Sequence, residues 1–331
     1  MPVTTTLLAK GAFPETDGLS LGMLGMHGTS YANYVMMKTD LILAIGARFD
    51  DRITGRLDTF APHAKIIHID IDPAEIGKNV PVDVPIVGDA KKVLKELLVV
   101  LKANVAESGP PDTSAWHKQI RAWKKEYPLS IPAGGLRPQF VVDEIYRVTH
   151  GKATIVTDVG QHQMWSAQFY KCSKPRQFIS SGGLGTMGFG LPAAIGAQVA
   201  CPGQLVVDIA GDGSIQMTSQ ELATAVQYGL PVKVCIINNQ WLGMVRQWQE
   251  LFWNQRYSQT CMECQPDFVK LAEAYGAEGH RVTRPEDLEE VLRLAFGSPG
   301  QAVIDIRVKR EANVYPMIPA GGTVHDMMER D

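Results

Sequence analysis

Two short polar motifs in the second half of the sequence could together bind a metal ion and a diphosphate group. The tripeptide Gly-Asp-Gly at 211–213 and the dipeptide Asn-Asn at 238–239 each follow an apolar run. Asp212 offers a carboxylate and Asn239 an amide oxygen, and hard oxygen ligands of this kind suit Mg²⁺ or Ca²⁺. The glycines of the first motif leave the backbone open where a diphosphate would approach it.

The elements around these motifs are expected to bring them together. The apolar runs 205–209 and 232–237 are typical of buried strands, and the segment between the motifs has room for one helical crossover. Both polar ends would then lie at one edge of a parallel sheet. A helix predicted to begin near Thr218 would add a positive dipole end. Either motif alone is a common turn or loop, but the pair at this spacing is specific.

Strand-like and helix-like segments alternate along most of the 331 residues, which favours an α/β fold with parallel sheets. We predict two doubly wound parallel-sheet domains, the first incomplete and the second complete. Gly and Pro at 107–112 indicate a linker, and Pro138 suits the first turn of a helix that opens the second domain. The predicted boundaries are 1–105 for the first domain, 106–137 for the linker and 138–331 for the second domain.

Charge and hydropathy argue against two kinds of partner. The chain carries 32 Lys and Arg against 35 Asp and Glu, a net charge of −3. It lacks the concentrated positive surface that phosphate binding requires, so we expect no nucleic-acid partner. No apolar run approaches the roughly 18 residues of a membrane-spanning helix, so we expect no membrane partner. The first residues show neither the basic nor the long apolar segment of a signal peptide.

The five cysteines indicate a reducing compartment, because an odd number at irregular spacing forms no disulfide framework. We therefore expect a cytoplasmic protein. Cys261 and Cys264 form a single CxxC pair, without the second pair or the histidines that a zinc site would use. We interpret them as two ordinary thiols.

Further motifs resemble those of one enzyme family. Together with the Gly-Asp-Gly and Asn-Asn pair, they resemble the catalytic large subunits of acetolactate synthase (acetohydroxyacid synthase), a family of thiamine-diphosphate enzymes. The resemblance covers nearly the whole chain. The stretches that carry it are 24–28 (LGMHG), 46–52 (GARFDDR), 159–165 (VGQHQMW), 182–188 (GGLGTMG), 243–249 (GMVRQWQ) and 315–322 (YPMIPAGG).

The resemblance implies that the second domain binds thiamine diphosphate and Mg²⁺. Asp212, Asn239 and the backbone carbonyl of Trp241 would hold the metal. Met187 would bend the cofactor, and Gly185 and Met217 would line its aminopyrimidine side. The residues that would contact the diphosphate are Gln161, His162, Gly213, Ser214, Gly243 and Met244, and the cofactor-binding residues also include Val159, Gly160 and Gly211.

The resemblance also implies that the first domain is the C-terminal part of a flavin-binding middle domain. Trp248 in the second domain would shape the pocket for the acceptor keto acid, and Arg52 would lie toward the substrate channel. Met187, Trp248 and Arg52 are thus the residues expected to act in catalysis. The residues expected to contact FAD are Gly25, Met26, His27, Gly28, Gly46, Arg48, Asp70, Ile71 and Asp89.

Each of these assignments has a plainer alternative. The two methionines could simply fill gaps in a core, His162 could be a surface histidine, and Trp248 could be an aromatic packed on a helix face. Arg48 and Arg52 could form solvated ion pairs with the aspartates beside them.

The family joins pyruvate, after loss of CO₂, to a second 2-keto acid. The products implied are 2-acetolactate and, from 2-ketobutyrate, 2-aceto-2-hydroxybutyrate, in branched-chain amino acid biosynthesis. The resemblance implies a homodimer or tetramer, and a regulatory small subunit as a further partner. Because no segment matches the domain that supplies the family's cofactor-activating glutamate, we expect an N-terminally truncated fragment. Two alternatives remain: a related pyruvate oxidase or 2-keto acid decarboxylase, and a cofactor-binding half-protein without turnover of its own.

Overall fold

The computed structural model describes residues 1–329, which form two compact units. The larger unit comprises Met1–Ser20 and Ser130–Val314, and the smaller unit comprises Leu21–Leu129 and the described residues from Tyr315 onward. In this grouping, residues near the start of the chain belong to the larger unit and residues after Val314 belong to the smaller unit. The predicted domain boundaries, 1–105, 106–137 and 138–331, concern the domains of the family and remain predictions. None of the helices within residues 1–329 combines the length and apolar character that crossing a membrane requires.

The strands are numbered in chain order. They are β1 (Val3–Thr5), β2 (Ser20–Met23), β3 (Leu41–Ile45), β4 (Lys65–Asp70), β5 (Val84–Val87), β6 (Thr154–Thr157), β7 (Phe178–Ser180), β8 (Val206–Gly211), β9 (Lys233–Asn238), β10 (Glu278–Val282) and β11 (Ala302–Arg307).

The helices are numbered in the same way. They are α1 (Ser30–Lys38), α2 (Asp51–Thr54), α3 (Ala90–Ser108), α4 (Ser114–Glu126), α5 (Pro138–Val148), α6 (Gln161–Phe169), α7 (Gly190–Ala200), α8 (Asp212–Ile215), α9 (Leu222–Gln227), α10 (Gly243–Phe252), α11 (Phe268–Tyr275) and α12 (Leu288–Gly297). Short 3₁₀ turns lie at Leu7–Ala9, Leu57–Thr59, Ser219–Glu221, Pro285–Asp287 and Val324–Asp326.

The larger unit contains a six-stranded parallel sheet with the order β10-β11-β9-β8-β6-β7. The chain runs outward from β6 to β7 and then returns to place β8 on the other side of β6. The order of the strands therefore reverses between β6 and β8, and ligands of open parallel sheets bind at such a switch point. This sheet confirms the predicted α/β class.

Apolar side chains from both kinds of element stabilise the larger unit. Strands β8 and β9 are buried along their whole length, as expected for central strands that are covered on both faces. Helix α7 packs Leu191 and Ala194 into the core that also contains Val206 and Val234. Burial of this apolar surface holds the carboxyl ends of β6, β8 and β9 at one edge of the sheet.

The smaller unit contains a three-stranded parallel sheet with the order β3-β4-β5. Its register pairs Ile45 with Ile69 and Asp70 with Val87, so the three strands end at one edge. The polar and glycine residues that follow the strands therefore share that edge.

The helix predicted after the Gly-Asp-Gly motif is present, and a short helix that was not predicted precedes it. The expected start near Thr218 is a 3₁₀ turn at Ser219–Glu221 that leads into α9. The helical residues at the motif itself belong to α8, which begins at Asp212. The glycines around Asp212 disfavour a helix in sequence-based reasoning, but the chain turns sharply there because β8 ends at Gly211.

Candidate active site

A cavity of about 90 Å³ lies at the switch point of the larger sheet. Its walls come from the chain after β6, after β8 and after β9. The sequence-predicted residues that line it are Val159, Gly160, Gln161, His162, Met187, Gly211, Asp212, Gly213, Ser214, Asn239, Trp241, Gly243 and Met244. Residues separated by more than 80 positions in the chain thus meet in one cavity. The spacing of the two motifs predicted that residues 211–213 would lie close to residues 238–239.

Two long helices begin at this cavity. Helix α6 begins at Gln161 and helix α10 begins at Gly243, and both residues line the cavity. The first backbone N–H groups of a helix have no partner within the helix, and the helix dipole is positive at this end. The two helix ends therefore favour an anionic ligand such as a diphosphate.

Asp212 and Asn239 lie in the wall of the cavity and are almost completely buried. Burial raises the pKa of Asp212 to about 7, although the backbone of Asp212 itself and the nearby Arg307 oppose the shift. The Oδ1 atom of Asn239 accepts a hydrogen bond from the backbone N–H of Trp241 at 3.1 Å. A buried carboxylate whose charge is poorly compensated is a favourable partner for a divalent cation.

Gln161 connects these elements below the cavity. Its Oε1 atom accepts from Asn239 Nδ2 at 3.1 Å, and its Nε2 atom donates to Gln247 Oε1 at 2.8 Å and to the Ala312 carbonyl at 2.9 Å. Gln247 in turn accepts from the Val314 backbone N–H at 2.8 Å. These bonds hold the amide of Asn239 in a fixed position.

Close packing requires glycine at two positions of the cavity wall. A Cβ atom at Gly243 would lie 2.1 Å from Gln161 Oε1, and a Cβ atom at Gly211 would lie 2.7 Å from the ring of His162. A side chain at either position would therefore displace Gln161 or His162 from the cavity wall.

His162 is buried in the cavity wall, and its Nε2 atom has no hydrogen-bond partner. Burial lowers the pKa of His162 to about 3, although a hydrogen bond with the Asp158 backbone opposes the shift. The imidazole is therefore neutral at ordinary pH. A buried polar atom without a partner costs free energy, and a polar ligand in the cavity would supply one.

The buried imidazole predicts that acid weakens the larger unit. Unfolding exposes His162, which then takes up a proton below its ordinary pKa of 6.5, whereas the folded chain resists protonation down to about pH 3. Stability is thus complete above pH 6.5 and falls as the pH decreases, by about 2 kcal/mol between pH 8 and pH 5. The measurement is the free energy of unfolding in urea at pH 8 and at pH 5, without ligands. His162→Gln should lose the part of the pH dependence that His162 causes. The exposed His150, changed to Asn, serves as the control, and an equal effect of both variants would contradict the prediction.

Three of the predicted residues of the larger unit do not line the cavity. Gly185 lies close to it, since a Cβ atom there would be 3.9 Å from the Val159 side chain. Met217 is 54% exposed and is therefore not the core residue of the plainer alternative. Trp248 is half-buried in α10 and packs against Phe252, with the ring centres 5.3 Å apart. The contact with Phe252 is what the packing alternative predicts for Trp248.

Several residues of the site lie outside the set predicted from the sequence. Trp165, Ile237, Leu242 and Val245 also line the cavity. Gln247 carries the hydrogen bonds described above, although its neighbour Trp248 was chosen from the sequence. Trp165 could have been found from its position one helical turn after Gln161, but a buried glutamine has no signal in the hydrophobic pattern.

The predicted flavin residues Gly46, Asp70, Ile71 and Asp89 follow the carboxyl ends of β3, β4 and β5. The backbone N–H of Gly46 donates to the Ile69 carbonyl at 2.8 Å. Asp89 caps α3, because its Oδ1 atom accepts from the Lys92 backbone N–H at 3.0 Å. Ile71 is 71% exposed. The structure thus gathers these residues at one sheet edge and gives Asp89 a structural role as well.

The glycine loop 25–28 lies beside Arg52 in the smaller unit. The Met26 backbone N–H donates to the Arg52 carbonyl at 2.8 Å. His27 is buried, and burial lowers its pKa to about 4. Gly28 is closely packed, since a Cβ atom there would lie 2.4 Å from the Leu24 carbonyl carbon.

The two arginines of the smaller unit make the ion pairs of the plainer alternative. Arg48 contacts Asp50 at 2.8 Å, and the exposed Arg52 contacts Asp51 at 2.8 Å. Exposed pairs of this kind contribute little stability, so both guanidinium groups can exchange partners at small cost.

No cluster of three His, Cys, Asp or Glu side chains able to hold a metal is present in residues 1–329. Cys261 and Cys264 are exposed and free. A metal ion in the larger unit would therefore depend on the mixed set of one carboxylate, one amide oxygen and backbone carbonyls that the Gly-Asp-Gly and Asn-Asn motifs supply.

Comparisons with known proteins agree with this geometry. Residues 158–306 match the C-terminal TPP-binding domain of thiamine pyrophosphate enzymes, and residues 1–97 match the central domain of the same enzymes. The acetolactate synthase large subunit of Cyanidium caldarium is 53% identical over 99% of this chain and 56% of that protein. The large subunit of Haemophilus influenzae is 50% identical over 99% of this chain and 58% of that protein.

An acetolactate synthase of Mycobacterium bovis is 51% identical over 97% of this chain and 53% of that protein. The chain thus spans about half the length of the curated relatives it matches.

Proposed function

Because the chain belongs to the family of thiamine pyrophosphate enzymes, we propose that it forms the cofactor-binding part of an acetolactate synthase. The reaction joins pyruvate, after loss of CO₂, to a second 2-keto acid, and yields 2-acetolactate or, with 2-ketobutyrate, 2-aceto-2-hydroxybutyrate. The observation that carries the proposal is the cavity at the switch point, in which Asp212 and Asn239 meet the first residues of α6 and α10.

The residues of the cavity fit Mg²⁺ and thiamine diphosphate. Asp212 is a carboxylate whose pKa is raised by burial, because its hydrogen bonds and the nearby Arg307 offset the loss of hydration only in part. Nε2 of His162 is buried without a partner, and glycine at 211 and 243 lets His162 and Gln161 pack into the cavity wall. These features suit a ligand that combines a divalent cation with an anionic, polar group.

Each part of the wall has a proposed role. Asp212, Asn239 and the Trp241 carbonyl hold Mg²⁺, and the helix ends at Gln161 and Gly243 bind the diphosphate. Met187 lies in the cavity wall and bends the cofactor, while Gly185 and Met217 lie toward its aminopyrimidine. Thiamine diphosphate supplies the carbanion chemistry of the reaction when it is bound. The apolar parts of the wall keep water from the reacting atoms.

We propose FAD as the ligand of the smaller sheet edge. That edge carries Gly46, Asp70 and Asp89 and the exposed apolar side chain of Ile71, whereas the glycine loop 25–28 is buried. A parallel sheet binds nucleotides beyond the carboxyl ends of its strands. Because the overall reaction transfers no electrons, the role of FAD here is structural.

The remaining proposals concern partners and location. Pyruvate and 2-ketobutyrate are the proposed substrates, and a homodimer or tetramer of the large subunit, joined by a regulatory small subunit, is the proposed assembly. The five free cysteines suit a reducing compartment, which supports a cytoplasmic location.

Binding and turnover test the proposal separately. Calorimetry of the chain should show thiamine diphosphate binding that depends on Mg²⁺ and disappears when the metal is chelated. Production of acetolactate from pyruvate should be measured for the chain alone and for the chain joined to the pyrimidine-binding domain of a relative. Activity of the joined protein only would support the expected role of that domain. If neither form makes acetolactate and the joined protein releases acetaldehyde, the decarboxylase alternative is correct.

Trp248 is expected to influence the choice of the second keto acid. In the joined protein, Trp248→Leu should lower the preference for 2-ketobutyrate over pyruvate, because a smaller side chain loosens a pocket in which one methylene is worth about 1–3 kcal/mol. The product ratio under competition between the two substrates is the measurement. Phe252→Leu is the matched control, since it removes the ring that packs on Trp248. An unchanged ratio for Trp248→Leu would leave Trp248 with a packing role alone.

A further inference from the structure

We propose that Gln265 is a positioning residue for the Asp212 carboxylate and thereby sets the affinity of the site for Mg²⁺. This inference rests on the proposed function, in which Asp212 holds the metal. Gln265 lies outside every motif singled out in the sequence, and it reaches Asp212 from the segment before α11.

The side-chain amide of Gln265 lies between a metal ligand and a cation. We assign the orientation of this amide from its neighbours: its nitrogen then donates to Asp212 Oδ2 at 3.0 Å, and its oxygen accepts from Asn238 Nδ2 and from Arg307 Nη1, each at 2.9 Å. In the opposite orientation the nitrogen donates to Asn238 Oδ1 at 3.0 Å, but the oxygen then faces the Asp212 carboxylate. The assigned orientation gives both ends of the amide complementary partners. One donor on Oδ2 restricts rotation of the carboxylate and leaves further lone pairs for a metal ion.

The two partners of the Gln265 oxygen, Asn238 and Arg307, both contact the buried Asp305. Asn238 Nδ2 also donates to Asp305 Oδ1 at 2.8 Å, and Asp305 is fully buried on β11. Arg307 and Arg281 contact the other carboxylate oxygen of Asp305, at 3.0 Å and 3.1 Å. Because every partner of Gln265 is held by a second bond, the amide can transmit a fixed position to Asp212.

The backbone holds Gln265 in place from both directions. Before it, the Met262 backbone N–H donates to the Gln240 carbonyl at 2.9 Å, which ties the segment to the chain after β9. After it, Asp267 caps α11 by accepting from the Val269 backbone N–H at 3.1 Å. The side chain therefore does not need binding energy from the ligand to reach Asp212.

Hydrogen bonds that orient a metal ligand commonly change metal affinity by 10- to 100-fold. The positive charge of Arg307 on the Gln265 oxygen polarises the amide, so its N–H group is a stronger donor toward Asp212. The backbone N–H groups of Asp212 and Asn239 also bond this carboxylate, so loss of the Gln265 donor loosens its orientation, and the metal must then restore that orientation on binding. We therefore expect Gln265 to change the affinity for Mg²⁺ rather than the affinity for thiamine diphosphate at saturating Mg²⁺.

The test is a Mg²⁺ titration of the chain at fixed, saturating thiamine diphosphate, followed by calorimetry. Gln265→Leu, which keeps the size of the side chain, should raise the Kd for Mg²⁺ by about 10- to 100-fold. At saturating Mg²⁺ the variant should bind thiamine diphosphate as the wild type does, which a general distortion of the cavity would prevent. Gln216→Leu is the matched control, because Gln216 donates to the Asp212 carbonyl at 2.9 Å and not to its carboxylate.

The outcomes distinguish this inference from the proposed function. A Kd for Gln265→Leu close to the wild-type value, or an equal loss in Gln216→Leu, would overturn the role of Gln265 while the Mg²⁺ site stands. Absence of Mg²⁺-dependent binding in the wild type would overturn the proposed function itself. If Gln265→Leu does not fold, Gln265→Asn retains the amide on a shorter side chain. Gln265→Asn should give a Kd for Mg²⁺ that is higher than the wild-type value but lower than the increase of about 10- to 100-fold expected for loss of the amide. A Kd equal to the wild-type value would again overturn the inference.

Discussion

Replacing Asp212 by alanine is expected to abolish Mg²⁺-dependent binding of thiamine diphosphate. Among the described residues that line the cavity, Asp212 alone is a carboxylate, and Mg²⁺ depends on carboxylate oxygen when a protein holds it beside a diphosphate. We expect the Kd measured by calorimetry to rise by at least about 100-fold, which corresponds to about 2.8 kcal/mol.

The same substitution should not weaken the ligand-free fold. Burial raises the pKa of Asp212 to about 7, so at pH 8 the ionised carboxylate is held at a cost in free energy that alanine removes. The urea midpoint of Asp212→Ala without ligands should therefore equal or exceed that of the wild type. Glu221→Ala, a nearby acid outside the cavity lining, is the control and should bind the cofactor normally. Unchanged cofactor affinity in Asp212→Ala would refute the assignment of the metal site.

Replacing Gly25 by alanine is expected to destabilise the smaller unit strongly. Gly25 has a φ of +91°, and a Cβ atom there would lie 2.2 Å from the Arg52 carbonyl oxygen and 2.9 Å from the Ile53 Cα atom. The loop cannot move aside easily, because Asn33 bonds both the N–H and the carbonyl of Gly25, at 2.8 Å and 3.0 Å. A strained backbone together with a clash against backbone atoms should cost at least about 3 kcal/mol.

Gly46 provides the matched control for this prediction. It also has a positive φ, of +62°, but a Cβ atom there would meet nothing within 4 Å. Gly46→Ala should therefore cost only about 1 kcal/mol. Thermal unfolding of the two variants beside the wild type separates steric collision from left-handed strain. Equal losses in both variants would show that the close approach of Gly25 to Arg52 contributes nothing.

The sequence by itself determined the fold class and the core of the candidate site. Residues 205–209 and 232–237 are apolar runs that end in polar motifs, and this pattern is local. Parallel strands must place their carboxyl ends at one edge, so the proximity of Asp212 and Asn239 follows from chain direction alone. The alternation of strands and helices predicted the parallel sheets for the same reason.

Only the tertiary structure decided which polar side chains support that core. Gln161, Gln247 and Gln265 are buried or half-buried amides, and amides in a sequence normally indicate surface. Their positions depend on partners far away in the chain, such as Ala312 and Asp212. A hydrogen bond between distant segments has no periodicity that a sequence could display.

The helix boundaries near the site show the same division. The bounds of α10 and the short helix α8 were not predicted, whereas the helix predicted to begin near Thr218 is present as a 3₁₀ turn that leads into α9. Helix propensity acts on neighbouring residues and amounts to less than 1 kcal/mol for most of them, whereas tertiary packing fixes where each helix begins. Local patterns therefore determined the strands and their polar ends, while long-range packing and hydrogen bonding decided the geometry of the residues around the cavity.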